Sequence, residues 1–228
     1  MIPIADELPR QRLPAVTWSV IGINVVAFLY ELLLGSNIDQ FFLEWGAVPA
    51  YISNPFDYPF YSVTLLTSMF LHGGWSHILG NMLYLWIFGD NIEDILGPWW
   101  FGAFYLGAGI VAGLAQVIVN PFSEIPAIGA SGAVAGVLGI YLVLFPTAPV
   151  RVLVPGFFFM RVARLPALIV LGFWFVLQLF NGFLSLGSMH LGGGVAWFAH
   201  IGGFVAGLVV GFVARNVLRR RQQKQSLY

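Results

Sequence analysis

The sequence predicts an all-α polytopic membrane protein, a bundle of six transmembrane helices with both termini in the cytoplasm. Three observations predict it. First, 59% of the 228 residues are hydrophobic and only 9% are charged, with a mean hydropathy of +0.85. Soluble domains carry about 25% charged residues, and a soluble fold of this length has no room to hide so much apolar surface. Second, the apolar residues fall into six long continuous runs, each near the length of about 20 residues that a bilayer requires. A transmembrane barrel would need short alternating segments instead. Third, the basic residues all fall on one side of a six-span threading.

The runs are Val16–Leu34, Thr67–Phe88, Trp99–Val119, Gly129–Phe145, Pro166–Phe180 and Gly194–Ala214. The first begins after Pro14 and lacks a convincing cleavage site. It is too long for a signal-peptide core, so it reads as a retained span. Gly, Pro, Asn and acidic residues punctuate the gaps. With no internal repeat, residues 1–228 read as one membrane domain, with a short cytoplasmic segment at 1–15 and a basic cytoplasmic tail at 215–228. Between the first two spans, about 35–66, lies a long outer segment. Its Phe41, Phe42, Trp45, Tyr51 and Phe56 suit the membrane interface.

Orientation follows from the ten basic residues. With the N-terminus inside, Arg10 and Arg12 are cytoplasmic. So are Arg151, Arg161 and Arg164 after the fourth span, and Arg215, Arg219, Arg220, Arg221 and Lys224 in the tail. None falls outside, as the positive-inside rule demands. The tail is expected to lie against anionic headgroups. A net charge of zero suggests no nucleic-acid partner. The absence of cysteine rules out disulfides and thiolate chemistry.

Polar residues inside spans are costly and need a reason. His72, His77 and Asn81 stand around the second span, Ser131 opens the fourth, and His200 lies in the sixth. Spans two, four and six all run from outside to inside, so these residues reach a similar depth below the outer surface. His77 and Asn81 share one helix face. His200 is followed by Gly203, Gly207 and Gly211, a small-residue stripe matched by Gly132 and Gly136 on span four. Such stripes let membrane helices approach closely, which brings Ser131 towards His200. A serine needs a base to become a nucleophile, and His200 is the candidate. His77, Asn81 and the Ser131 backbone N–H are candidate donors to an oxyanion. No acidic residue lies near His200 at this depth, so a dyad rather than a triad is expected.

Other readings of the same residues stay open. A serine among small residues in a membrane helix is usually packing, and a membrane histidine serves a proton relay as readily as a base. His72 and His77 suggest a metal only weakly, for want of a third ligand. A transporter would instead need ionisable residues along a continuous path, whereas here they cluster in the outer half.

Three motifs resemble those of the rhomboid family of intramembrane serine proteases. His72-Gly-Gly-Trp-Ser-His77-Ile-Leu-Gly-Asn81 resembles the family's His-x4-His-x3-Asn. Gly129-Ala130-Ser131-Gly132 resembles its Gly-x-Ser-Gly, and Ala199-His200-Ile201-Gly202-Gly203-Phe204-Val205-Ala206-Gly207 its Ala-His-x2-Gly-x3-Gly. The resemblance spans about 67–207 and implies the bacterial six-helix form. It implies Ser131 as nucleophile, His200 as base, His77 and Asn81 at the oxyanion, and His72, Gly129 and Gly132 in support. It further implies a lateral gate on span five at Trp174 and Phe175, with the loop 181–194 as cap. Gly89 to Gly97, with Glu93 between, resembles the family's turn after the second helix. Many members carry Trp-Arg in the first outer loop, where this chain has Trp45-Gly46. A silent member of the family would have lost the serine or histidine, and both are present. The implied partners are membrane-protein substrates and the bilayer, with no metal or other cofactor. The compact six-helix plan without an added organelle-targeting segment leads to an expected place in the plasma membrane.

Overall fold

The computed structural model describes residues 1–155, 160–187 and 194–225, with side chains as far as Leu218. Six long helices form the bundle: α1 (Ala15–Leu33), α5 (Trp75–Leu96), α6 (Pro98–Val119), α7 (Ser131–Leu144), α8 (Ala167–Ser185) and α9 (Trp197–Gln225). Three short helices, α2 (Ile38–Trp45), α3 (Pro49–Ile52) and α4 (Thr64–Thr67), fill the long connection between α1 and α5. The protein is a multi-pass helical membrane bundle. Helices α1, α6, α8 and the Trp197–Leu218 part of α9 are each long and apolar enough to cross a bilayer. The other two differ for opposite reasons. Polar residues such as His77, Asn81 and Asp90 dilute α5, and α7 is apolar but only 14 residues long.

Helix α7 is the centre of the bundle. Nearly every residue from Gly132 to Tyr141 is buried, as expected of a helix that is hydrophobic all round. It packs on α9 through glycines. A Cβ at Gly203 would overlap the Gly132 carbonyl, and one at Gly207 the Gly136 carbonyl. On its other side a Cβ at Gly136 would come 2.7 Å from the Ala108 Cβ of α6. The outer helices keep one apolar face free, with Val26, Leu33, Ile118 and Phe183 among the exposed side chains. That is the pattern expected where lipid covers the outside.

Several boundaries move from those the sequence suggests. The second helix begins at Trp75 rather than Thr67, because Gly73 and Gly74 interrupt the chain and Gly74 has a φ of +149°. The fifth continues to Ser185. The sixth starts at Trp197 and runs on to Gln225, so much of the tail is helical. Residues 1–15 also carry regular structure. They hold strand β1 (Ile2–Asp6), which pairs antiparallel with β2 (Pro149–Pro155), itself paired with β3 (Met160–Pro166). The sheet order is β1-β2-β3.

Carboxylates tie this end of the bundle together. Glu93 accepts the backbone N–H of Val16 and Thr17 at 3.0 and 2.8 Å, and the Thr17 hydroxyl at 2.8 Å. It thereby caps the start of α1, whose first N–H groups have no intrahelical partner. Asp94 accepts the N–H of Gln11 and Arg12. Asp6 accepts the Tyr141 hydroxyl at 2.6 Å and the Asn91 amide at 2.8 Å, docking β1 on α7 and α5.

Burial pushes the Asp6 carboxyl up from its ordinary value of 3.8 to about 6. The Tyr141 bond opposes this rise and the nearby Asp90 charge adds to it. The fold therefore favours the protonated acid. The stability linked to Asp6 is complete below its ordinary value and is lost as pH rises through about 6. Thermal unfolding in detergent is expected to show a midpoint that falls between pH 5 and 7.5. Asp6→Asn, which keeps an acceptor for Tyr141, is expected to flatten that fall.

Candidate active site

The site is built at the end of α7 opposite the sheet. Tyr141, which holds Asp6, and Ser131 lie ten positions apart on one helix, about 15 Å at the usual rise. Ser131 is the first residue of α7, and no side chain caps the helix there. Its N-terminal N–H groups thus lack intrahelical acceptors, and the helix dipole adds partial positive charge. The preceding Gly129 has a φ of +122°, a conformation that favours glycine. Its N–H donates to the Ser68 carbonyl at 2.9 Å. A Cβ at Gly129 would come 2.6 Å from His77 Nε2 and 3.6 Å from the Asn81 amide nitrogen. Both side chains of α5 are thereby brought against the backbone that leads into Ser131.

His200 stands 2.8 Å from Ser131, Nε2 to Oγ. Its other ring nitrogen, Nδ1, is 2.9 Å from Gln178 Oε1 on α8. The imidazole neighbours two indoles, with ring centres 5.9 Å from Trp174, tilted, and 6.0 Å from Trp197, edge-on. His77, Asn81, Ser131, Trp174, Gln178 and His200 all line one cavity of about 670 Å³. Chemically, the arrangement offers a hydroxyl beside a base, with N–H donors at a helix start and two polar side chains nearby.

The remaining expected residues take other positions. His72 is buried and does not line the cavity. It accepts the Asn81 amide N–H at Nε2, 3.0 Å away, and so backs Asn81. Gly132 serves the contacts of α7 with α6 and α9. Phe175 stacks on Phe204 at 4.2 Å and fastens α8 to α9, while Trp174 faces the cavity. Of the expected cap, residues 181–185 are helical and residues 188–193 lie outside the described residues. Among the described residues, no three His, Cys, Asp or Glu side chains are grouped to hold a metal.

Two residues escaped the sequence reading. Gln178 is one. Glu31 is the other, a buried carboxylate of α1 that accepts the His72 backbone N–H at 3.1 and 3.2 Å. Both are polar residues within apolar spans, which is the signal by which they could have been found. The Trp45-Gly46 pair also has a local reason. A Cβ at Gly46 would overlap the Phe42 carbonyl and come 2.9 Å from Pro126 Cβ. The backbone itself fills this place, and Ala47 and Ala127 exchange two hydrogen bonds of 3.0 and 2.9 Å. The connection between α1 and α5 is thus joined to the segment that leads into Ser131.

Comparison with known proteins places this architecture. A Rhomboid domain model matches residues 60–217. The chain belongs to the rhomboid family. It is 26% identical over 215 residues to Rhomboid protein 1, mitochondrial, of Saccharomyces cerevisiae, covering 91% of this chain and 56% of that protein. It is 28% identical over 212 residues to rhomboid protease GlpG of Salmonella paratyphi A, covering 93% of this chain and 67% of that one. It is 32% identical over 130 residues to rhomboid protease GluP of Bacillus subtilis, covering 57% and 24%. This rhomboid therefore spans little more than half of the yeast protein and about a quarter of GluP.

Gly129→Ala forces a strained φ and a clash with His77, each a matter of about 1–3 kcal/mol. The variant is expected to lose tenfold or more in turnover while its helical circular dichroism is retained.

Proposed function

We propose that this rhomboid is an intramembrane serine endopeptidase that cleaves transmembrane segments of membrane proteins through a Ser131–His200 dyad. The carrying observation is the 2.8 Å hydrogen bond between Ser131 Oγ and His200 Nε2 at the uncapped start of α7. Relatives named as proteases support the same reading. Ser131 donates its proton to His200 Nε2 as its oxygen attacks the substrate carbonyl. The carbonyl oxygen gains charge and takes hydrogen bonds from the Ser131 N–H, His77 and Asn81. His200 then returns the proton to the leaving amine. A water activated by the same base releases the acyl-enzyme.

Cleavage takes place near the outer surface of the plasma membrane, with both termini of this one membrane domain in the cytoplasm. The charge pattern supports this orientation. Arg151 and Arg164 lie on the sheet, the Arg12 N–H donates to Asp94 and the Arg10 guanidinium lies over Trp18, all at the end of the bundle away from Ser131. Substrate enters from the side of α8, past Trp174 and Phe175.

Purified protein in detergent is expected to cleave a model transmembrane substrate and to react with a fluorophosphonate. Ser131→Ala and His200→Ala should each abolish cleavage while remaining folded. Cleavage that survives Ser131→Ala would overturn the assignment. For the gate, Phe175→Ala removes the stack on Phe204 and is expected to raise turnover of a transmembrane substrate. Unchanged or lower turnover would remove Phe175 from that role.

A further inference from the structure

The geometry points to Gln178 as the positioning residue that sets the tautomer and plane of His200, an inference that rests on the dyad reading. A dyad lacks the third group that orients the base in a triad, and an imidazole with a free Nδ1 can carry its proton on either nitrogen. Only one tautomer works here. Nε2 must present a lone pair to the Ser131 hydroxyl, so the proton must sit on Nδ1.

The hydrogen bonds of Gln178 select that tautomer step by step. Its side-chain amide nitrogen donates to the Trp174 carbonyl at 3.0 Å. A backbone carbonyl can only accept, so the NH₂ end of the amide is fixed towards α8. The oxygen end is then turned to His200, 2.9 Å from Nδ1. An amide oxygen can only accept, so Nδ1 must be the donor and Nε2 the acceptor. The relay thus runs from the Trp174 carbonyl through Gln178 to His200 and Ser131, with each proton assigned. Gln178 is buried, so water competes little for its oxygen. Trp174 and Trp197 pack near the ring, but only Gln178 distinguishes the two nitrogens among these neighbours.

The test compares wild type with Gln178→Met and Gln178→Leu, which fill the space without an acceptor, and with Gln178→Glu, which keeps an oxygen facing Nδ1 whether ionised or protonated. Steady-state cleavage of a transmembrane substrate is measured with thermal unfolding alongside. Loss of orientation is expected to lower kcat about tenfold to a hundredfold in both apolar variants. KM should change less than about twofold, since Gln178 binds the base and not the substrate. Gln178→Glu is expected to recover most of kcat. Wild-type kcat in a folded apolar variant, or a Glu variant no better than Met, would overturn the inference. Nitrogen-15 spectra of His200 give a second reading that does not depend on turnover. Wild type should show a protonated Nδ1 and an unprotonated Nε2, and the reverse tautomer would overturn the inference outright. Ser131→Ala run in parallel separates the two levels. If it still cleaves, the dyad reading fails and the role of Gln178 falls with it. If it is dead and the Met variant is fully active, only the role of Gln178 falls.

Discussion

The close approach of α7 and α9 governs everything else in this protein. The carbonyls of Gly132 and Gly136 occupy space that side chains at Gly203 and Gly207 would need. In lipid no hydrophobic force drives helices together, so contact of this kind supplies the attraction and fixes the register. Ser131 immediately precedes Gly132, and His200 lies one turn before Gly203. Positions along the stripe therefore translate directly into the 2.8 Å between Oγ and Nε2. A hydrogen bond tolerates only a few tenths of an ångström of change. Separating the two backbones by one methyl group would exceed that tolerance.

The membrane imposes a second condition, that buried backbone donors find partners. The structure meets it at the start of α1 with Glu93 and at His72 with Glu31. The start of α7 has no such side-chain cap. Two helix beginnings in one chain are thus treated differently. The capped one anchors the fold, and the uncapped one keeps its N–H groups available beside Ser131. A carboxylate placed at α7 as Glu93 is placed at α1 would satisfy the donors and remove the very feature that an oxyanion needs.

What the sequence revealed follows from the kind of signal each feature leaves. Apolar runs of span length give the helices, and glycines spaced by four give the α7–α9 contact, because both repeat along one element. Depth, read from helix rise and the side on which arginines fall, groups Ser131 with His200. The sheet left no comparable trace. Strands of five and seven residues that pair Ile2 with Leu153 depend on contacts far apart in sequence. The limits of α5 depended on the φ of Gly74, a property of the folded backbone. Gln178 and Glu31 stood in view as polar residues in apolar runs. Their partners, a ring nitrogen on another helix and a backbone N–H in a loop, become evident only when the helices are assembled.

On the proposed dyad and gate, the placement of Gln178 would also constrain how a substrate enters. Trp174 and Gln178 are one turn apart on α8 and both face the cavity. An outward swing of the whole helix would widen the entrance and at the same time part Gln178 from His200. The base would lose its orientation as the substrate arrived, and the helix would have to return before the attack. Rotation of the Trp174 ring alone opens the same wall and leaves the 2.9 Å bond in place. Entry by side-chain movement therefore preserves the catalytic geometry, while entry by helix movement suspends it. If Ser131 and His200 act as proposed, the two routes differ in one respect that matters for turnover, whether the base is in place when the peptide bond reaches Ser131.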